Sequence, residues 1–269
     1  MDTKLFAFTL DLEPDYGRSG QYELFQKTRD IEEVLIILAS FDVKLTVFTV
    51  GEVFELYPDV IRLFEKYACE FEVHSYSHDL RHPDSEFEIQ QAKKAYFSYF
   101  QKYPKGYRAP EGRISDGGIE ILAREGFHYD SSIFPSYFPN PFRYLFRDRQ
   151  IHYHINSQIM EIPLTAITPF RLTLSVSYLK LCGFDFYRKL FQTYDLPEFI
   201  CFDSHLHDFI PSENTFRKLP SFWNLIYSRN KYKGIDYCIE FLQYVKNEGY
   251  NFHFMSEIYD LNKQAIRKE

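Results

Sequence analysis

The sequence predicts an α/β protein with a mostly parallel sheet, in one domain spanning residues 1–269, and three observations lead to this prediction. Short apolar runs alternate with segments whose apolar residues recur at helical spacing, which is typical of parallel α/β folds. No repeat, low-complexity tract or Gly/Ser linker divides the chain. With 45% hydrophobic and 26% charged residues, the chain is long enough to bury one sizeable core.

The individual elements follow from the apolar pattern, taken in chain order. Apolar runs that end at polar residues or glycine predict strands at residues 5–10, 44–50, 69–73, 159–162, 199–202 and 251–255. Apolar residues three and four apart predict helices at residues 22–40, 58–67, 85–102, 116–125 and 234–247. The stretches 136–158 and 210–233 have weak periodicity and many Phe, Tyr, Arg and Pro residues. We interpret both as insertions or long loops.

Composition and charge exclude several classes of protein. The net charge is −7 and no dense basic run occurs, so nucleic acid is not an expected partner. The 4 cysteines have no CxxC spacing, so neither a thiolate zinc site nor a disulfide framework is indicated. No apolar stretch approaches the roughly 18 residues of a membrane span. The run Met1–Lys4 lacks the pattern of a secretory signal, and we therefore expect a cytoplasmic protein of undetermined oligomeric state.

Three carboxylates follow the first predicted strand, in the run Asp11-Leu12-Glu13-Pro14-Asp15. In parallel α/β folds, catalytic groups gather at the carboxyl ends of the strands. If the strand continues to residue 13, its period of two places Asp11 and Glu13 on one face. Such a pair suits one base and one metal ligand, although the segment taken alone is more typical of a solvated acidic turn.

Two histidines four residues apart follow the strand at 69–73, in the run His74-Ser75-Tyr76-Ser77-His78. On a helical turn this spacing places both imidazoles on one side, where they can bind one metal ion. Two histidines and one carboxylate form the ligand set of many hydrolytic zinc sites and leave a position open for water. Iron, cobalt or nickel would accept the same ligands.

Two further segments carry polar side chains with possible chemical roles. Arg108 lies in a Pro/Gly turn, where an arginine can pair with a buried carboxylate, although an exposed arginine is the ordinary outcome. His205 and His207 follow the strand at 199–202 and share a face, so either could donate a proton.

In their order along the chain, these segments resemble the motifs of the polysaccharide deacetylase family, carbohydrate esterase family 4. The run Thr9-Leu10-Asp11-Leu12-Glu13 is similar to a variant of its first motif, TFDDG. The second motif, H-(S/T)-x-x-H, matches His74, Ser75 and His78. The third, R-x-P-x-G, matches Arg108, Pro110 and Gly112. The fourth, D-x-S-x-x-P, matches Asp130, Ser132 and Pro135. The fifth motif, L-x-H, is met in part, because position 205 is His. The resemblance covers roughly residues 5–210.

The resemblance implies a distorted (β/α)7 barrel and a metal-dependent hydrolase that removes an N-acetyl group from an amino-sugar-containing substrate. It implies one divalent metal ion, with zinc favoured over iron, cobalt or nickel. The implied metal ligands are Glu13, His74 and His78, and Asp15 stays a less favoured alternative to Glu13, because Pro14 interrupts the strand between them.

The resemblance also implies catalytic roles. Asp11 would be the general base that activates water, oriented by Arg108. His207 would protonate the leaving amine with Asp130 tuning it, and His207 is favoured over His205 because it occupies the L-x-H position. Backbone N–H groups near Pro110 and Glu111 would contact the substrate.

Two other functions remain open from the sequence. A hydrolase of the same fold could act on another C–N bond, such as a formamide or a cyclic imide, since the pocket rim decides between them. A catalytically inactive carbohydrate-binding protein is the second alternative. Because no export signal is visible, a lipid- or nucleotide-linked sugar precursor is a reasonable substrate beside a cell-surface polysaccharide.

Overall fold

The computed structural model describes residues 4–136, 147–154 and 157–266. A nine-stranded sheet and a separate two-stranded hairpin contain the described strands. In chain order these are β1 (Leu5–Leu12), β2 (Leu45–Thr49), β3 (Glu70–Val73), β4 (Gly106–Tyr107), β5 (Tyr129–Asp130), β6 (His152–Tyr153), β7 (Met160–Glu161), β8 (Ala166–Ile167), β9 (Leu172–Thr173), β10 (Phe199–Phe202) and β11 (Asn251–Phe252).

Helices lie between most of these strands. The described α-helices are α1 (Thr28–Ser40), α2 (Gly51–Leu56), α3 (Pro58–Glu65), α4 (Glu86–Phe100), α5 (Asp116–Arg124), α6 (Val176–Cys182), α7 (Phe184–Phe191), α8 (Leu206–Phe209), α9 (Glu213–Lys218), α10 (Ser221–Ser228), α11 (Gly234–Asn247) and α12 (Met255–Ile266). Three 3-10 turns lie at Asp15–Gly17, Glu23–Gln26 and Pro110–Gly112. No helix in the described ranges is long and apolar enough to cross a bilayer.

Seven strands of the large sheet run parallel, in the order β10-β1-β2-β3-β4-β5-β7. Strand β6 adds antiparallel to β7, and β11 pairs with the start of β1. The two ends of this order approach each other, because the Thr165 N–H donates to the Cys201 carbonyl and the Val176 N–H donates to the Asp203 carbonyl, both at 3.0 Å. The curled parallel sheet confirms the predicted (β/α)7 barrel fold.

Strand β1 lies at the centre of the core. Its residues from Phe6 to Leu12 are all buried, and the Phe6 and Phe8 rings pack on Phe202 of β10 at centroid distances of 5.8 and 5.3 Å. Because the seven strands share one direction, their carboxyl ends share one edge of the barrel. The candidate residues of the first, second, third and fifth motifs all follow strands at this edge.

Several predicted elements differ from the structure. Residues 210–233 contain α9 and α10 rather than a long loop; the two helices have only 6 and 8 residues, which leaves an apolar spacing few positions in which to repeat. The predicted helix at 22–40 is a 3-10 turn followed by α1, and the predicted last strand stops at Phe252 before α12 begins. Of the expected insertion at 136–158, part lies outside the described residues, and residues 152–153 form β6.

Candidate metal centre

Glu13, His74 and His78 meet at the carboxyl edge of the barrel. Glu13 follows the last residue of β1, and its Oε2 lies 2.7 Å from His78 Nε2 and 3.3 Å from His74 Nε2. All three side chains are less than a tenth exposed, at 8% for Glu13, 2% for His74 and 3% for His78. The structure therefore brings together the three residues that the sequence analysis groups as metal ligands.

Asp15, the alternative ligand, is directed elsewhere. Its carboxylate accepts hydrogen bonds from the backbone N–H groups of Glu23 and Leu24 at 3.1 and 3.3 Å, and from the Thr215 hydroxyl at 3.0 Å. These bonds hold the following 3-10 turn and α9 against the barrel. Geometry thus favours Glu13 over Asp15 as the carboxylate of the cluster.

The histidines do not lie on a helical turn, contrary to the sequence interpretation. Ser75 and His78 both have positive φ, at 58° and 60°, so the chain forms an irregular loop after β3. Glu88 of α4 ties this loop down, since it accepts from the backbone N–H of Ser77 at 2.8 Å and from its hydroxyl at 2.6 Å. The His78 N–H donates to Ser75 Oγ at 3.2 Å. Loop geometry, rather than helical periodicity, places the two imidazoles together.

The donor atoms of this cluster fit a divalent cation. His74 Nδ1 lies 2.8 Å from the Arg108 carbonyl, which can only accept, so Nδ1 carries the proton and Nε2 presents a lone pair. That Nε2 atom is buried and has no hydrogen-bond partner within the described part of the chain. Burial alone would raise the pKa of Glu13, but the attraction of His78 leads the effects that hold it well below its usual value. A lone pair facing an ionised carboxylate leaves a place for a cation.

Arg108 joins two carboxylates beside the cluster. Its Nη1 lies 2.8 Å from Asp11 Oδ1, 2.9 Å from Asp203 Oδ1 and 2.9 Å from Thr9 Oγ1. Burial would lower the pKa of Arg108, but Asp11 and Asp203 raise it above its usual value, so the guanidinium stays charged. The pKa of Asp203 is shifted as well. Burial has the largest effect, and together with repulsion from Asp11 it raises this pKa to about 7. The predicted pairing of Arg108 with Asp11 is present in the structure.

The two histidines after β10 take different positions. His205 Nε2 lies 3.8 Å from Glu13 Oε1 and 3.9 Å from Asp11 Oδ2, and its side chain borders a cavity. His207 lies behind it, with its ring 4.8 Å from that of His205 and 4.7 Å from that of Tyr16. It is 3% exposed and is not among the described residues that line the cavity. Residue 205, rather than the favoured residue 207, thus faces the cluster.

Protonation separates the same two histidines further. Burial would lower the pKa of His205, but Asp203, Asp208 and Glu13 raise it well above the usual value. For His207, burial dominates over the attraction of Asp208 and lowers the pKa to about 3. At neutral pH His205 therefore holds a proton that it could give, whereas His207 is neutral.

Asp130, expected to tune His207, lies in another environment. Its Oδ1 accepts from the Ser132 hydroxyl at 2.6 Å, and its other neighbours include Glu161 and His154. Ser132 in turn accepts from the Ala109 N–H at 2.7 Å. The structure does not bring Asp130 to His207 within the described contacts; it links Asp130 to the backbone beside Arg108 instead.

The predicted substrate-contacting turn lies at the edge of the cavity. Glu111 has a φ of 50° and lines the cavity, and its carboxylate forms salt bridges with Arg18 and with Arg113. Pro110 is buried, and the cavity is bordered by its neighbours Ala109 and Glu111 instead.

The cavity has a volume of about 220 Å³ and opens directly over the cluster. Asp11, Glu13, His74 and His78 lie on one side of it. Trp223 and Tyr227 of α10 lie on another, and the Arg18 guanidinium stacks on the Trp223 ring at 4.5 Å. An aromatic helix therefore faces the candidate metal centre across the cavity.

Sequence reasoning missed Asp203 and the aromatic side of the cavity. Asp203 directly follows β10, so the rule that polar residues after strands gather at one edge could have found it. Trp223 and Tyr227 lie in a stretch without clear periodicity, and only the packing of α10 against the barrel edge shows where they point.

The fold and the donor set define a parallel barrel with a candidate single-cation site at the carboxyl ends of its strands. Residues 2–129 match the family model described as polysaccharide deacetylase. The match covers just under half of the chain, and it agrees with the resemblance to the polysaccharide deacetylase family that the motifs indicated. No curated protein matches the sequence significantly.

Solved structures of the same fold differ in what they do. A Mycobacterium smegmatis protein, provisionally assigned as a polysaccharide deacetylase, is 16% identical with a TM-score of 0.62, over 98% of this chain and 92% of its own. The allantoinase PuuE is 14% identical with a TM-score of 0.60, over 96% and 90%. A Bacillus anthracis pseudoenzyme of carbohydrate esterase family 4, BA3943, is 14% identical with a TM-score of 0.55, over 96% and 66%. At these identities the likeness concerns the fold.

Proposed function

We propose that the chain is a metal-dependent hydrolase that removes an N-acetyl group from an amino-sugar-containing substrate. One observation supports this most directly: the buried lone pair of His74 Nε2, without a protein partner in the described chain, beside Glu13 and His78 at the cavity. The match of residues 2–129 to the deacetylase family model supports it independently. A divalent ion held by these three residues would polarise the acyl carbonyl and make a nearby water more acidic.

Asp11 is the proposed general base. Arg108 holds its Oδ1 at 2.8 Å, which leaves Oδ2 on the cavity side, 3.8 Å from His74 Nε2. A carboxylate that is held through one oxygen keeps its other oxygen in a fixed position toward a water molecule, so the side chain does not need to reorient. Asp11 would thus remove the proton of the attacking water, and Arg108 is a positioning residue.

His205 is the proposed acid, in place of His207. It borders the cavity, it is held by Asp208 at 3.3 Å through Nδ1, and its raised pKa keeps it protonated. An acid in that state can protonate the leaving amine when the C–N bond breaks. His207, which is neutral and behind His205, would contribute to packing.

The lining and size of the cavity favour a sugar as the molecule that carries the acyl group. Aromatic faces such as those of Trp223 and Tyr227 stack on the apolar sides of planar or ring-shaped ligands. A volume of about 220 Å³ is small beside common ligand pockets of roughly 300–1,000 Å³, so the enclosed space suits one ring rather than several. A longer glycan or an attached carrier would extend out of the opening. The cytoplasmic location stays a prediction.

The other readings keep specific support. The fold is shared with an allantoinase, so cleavage of another C–N bond is the second candidate, together with deformylation. The fold is also shared with a pseudoenzyme. Against an inactive protein stands the retention of Asp11, Glu13, His74, His78 and Arg108 in mutual contact.

One experiment separates these functions. The purified protein is depleted of metal, reloaded with zinc, cobalt, nickel or iron(II), and incubated with a panel of N-acetyl and N-formyl sugars and cyclic imides. We expect acetate release from an N-acetylated amino sugar that depends on the added metal. Formate release or ring opening without acetate would favour the second candidate. Stoichiometric metal without turnover of any compound would favour an inactive sugar-binding protein.

A further inference from the structure

The residues 211–233 between β10 and α11, which we name the rim segment, differ in charge from the rest of the chain. They hold one acidic residue, Glu213, against Arg217, Lys218, Arg229, Lys231 and Lys233, a formal charge of 5 − 1 = +4 in a chain of net charge −7. Lys231 pairs with Glu213 at 2.6 Å and Lys233 with Asp236 at 3.0 Å. Arg217, Lys218 and Arg229 are exposed, and no salt bridge to them occurs within the described ranges.

Helix α10 in the middle of the rim segment is apolar on two sides. At 100° per residue, Trp223 and Tyr227 share the side that faces the cavity. Phe222 and Leu225 lie on the opposite side, 57% and 72% exposed. Arg229, which follows the last residue of the helix, borders the cavity instead. A helix on the surface of a globular protein normally presents polar residues to the solvent.

Two other exposed apolar residues, Leu56 and Phe87, have the opposite surroundings. Leu56 and Phe87 are 62% and 61% exposed, which is close to the values for the outer side of α10. Leu56 follows Glu52 and Glu55 in α2, and Phe87 lies between two glutamates at the start of α4. The rim segment therefore combines exposed apolar side chains with positive charge, whereas Leu56 and Phe87 are flanked by glutamates.

This combination fits one kind of partner. Apolar and aromatic side chains on one side of a helix, with basic residues beside them, enter the interface of a bilayer whose headgroups are anionic. A basic side chain near such a surface contributes about 1 kcal/mol, equivalent to about fivefold in partitioning. An acidic protein partner would satisfy the charges, but it would not require two large apolar side chains exposed next to a cavity opening.

We propose that the rim segment docks the protein on an anionic lipid bilayer, with Phe222 and Leu225 inserted into the interface and the exposed Arg217 and Lys218 side chains against the headgroups. Because Trp223 and Tyr227 of the same helix line the cavity, docking places the cavity about 10 Å, one helix diameter, from the membrane surface. An acylated sugar on a lipid anchor would reach the site from there, a consequence that rests on the proposed function, whereas docking itself does not.

Vesicle sedimentation tests the docking without any assay of activity. The protein is sedimented with vesicles of phosphatidylcholine alone and with vesicles in which about a third of the lipid is phosphatidylglycerol. Each mixture is measured at low salt and again with added sodium chloride. The test variant is Phe222→Ser with Leu225→Ser, and the matched control is Phe87→Ser with Leu56→Ser. A charge variant, Arg217→Gln with Lys218→Gln, is measured alongside. Circular dichroism and sedimentation velocity check the folding and oligomeric state of each protein.

We expect the wild type and the control to bind the anionic vesicles and not the neutral ones, and to be released by salt. The test variant should partition at least about tenfold less, and the charge variant about tenfold to thirtyfold less. Equal loss in the control variant, or absence of binding by the wild type, would overturn the proposal. A wild-type dimer that becomes monomeric in the test variant, without vesicle binding, would identify the surface as a contact between two copies and overturn it as well. Lipid binding with no acetate release from any sugar would leave docking intact and refute only the proposed function.

Discussion

Two buried clusters in this protein contain the same kinds of residue and behave differently. In each, the ligand atoms of three histidine and carboxylate side chains lie within 4.8 Å of one another. The first cluster consists of Glu13, His74 and His78, and the second of Asp130, His154 and Glu161. The first borders the cavity. Neither carboxylate of the second is exposed at all.

The second cluster is satisfied by protons and hydrogen bonds from the chain itself. Glu161 accepts from the Ile133 N–H at 2.9 Å, and its Oε2 lies 3.1 Å from His154 Nε2. Burial raises the pKa of Glu161 to about 7, and burial together with Glu161 raises that of Asp130 well above its usual value. A proton shared between the two carboxyls would satisfy Asp130 Oδ2, which has no hydrogen-bond partner within the described chain.

The comparison shows that residue types alone do not define a metal centre. In the first cluster, the backbone carbonyl of Arg108 forces a lone pair of His74 toward an ionised carboxylate, next to an opening. In the second, two closed-in carboxyls retain protons. Access and the protonation state imposed by neighbours decide the difference, and both can be tested by substitution.

The largest expected effect separates the clusters by metal content. His74→Ala should reduce bound metal from about one ion per chain to near zero and reduce turnover at least about 10³-fold, since the polarising charge contributes several kcal/mol. Glu161→Gln should leave the metal content unchanged. Elemental analysis of both purified variants checks this, and metal retained in His74→Ala would place the ion elsewhere.

The next expected effect distinguishes roles within the first cluster. Asp11→Asn should retain the metal and lose about 10²–10⁴-fold in turnover, because the general base is removed while the ligands remain. Glu13→Gln should weaken metal binding, measured by competition with a chelator. Asp15→Asn is the control. If it releases the metal while Glu13→Gln does not, Asp15 rather than Glu13 is the carboxylate ligand.

A third expected effect concerns the acid. His205→Ala should lower turnover about 10²-fold or more and remove the alkaline limb of the pH–rate profile, because that limb reports the residue that must be protonated. His207→Ala should keep the limb and act mainly on thermal stability. The opposite pair of profiles would restore the sequence-based choice of His207.

The smallest expected effect is on the pH dependence of stability in the second cluster. The folded-state pKa of Glu161 is raised to about 7 from 4.5, so the folded protein binds the proton more tightly than the unfolded chain does. Its contribution to stability is therefore fully present below pH 4.5 and is lost as the pH rises through about 7. Glu161→Gln, which cannot ionise, should flatten this decline. Thermal denaturation at intervals across that range measures it; an unchanged slope would contradict the shared proton.

Much of the site could be predicted because chemical identity and strand position are written in the sequence. Apolar runs ending in Asp11 and His74 predicted both the strands and the edge at which these residues meet. Short strands such as β4 and β5, of two residues each, were missed because a period of two cannot be recognised in so few positions. Helices α9 and α10 were missed because, at 6 and 8 residues, they offer too few positions for an apolar spacing to repeat.

The sequence by itself determined the parallel α/β class, the resemblance to one family and the set of residues that can bind a cation. Periodicity and motif order are properties of the chain, and they survive without knowledge of contacts. Only the tertiary structure decided that Glu13 rather than Asp15 completes the cluster, that residue 205 faces it while residue 207 is behind, and that Asp130 pairs with Glu161. Each of these depends on the direction in which a side chain points after the backbone has turned. Loop dihedral angles and long-range hydrogen bonds set that direction, and the local sequence does not.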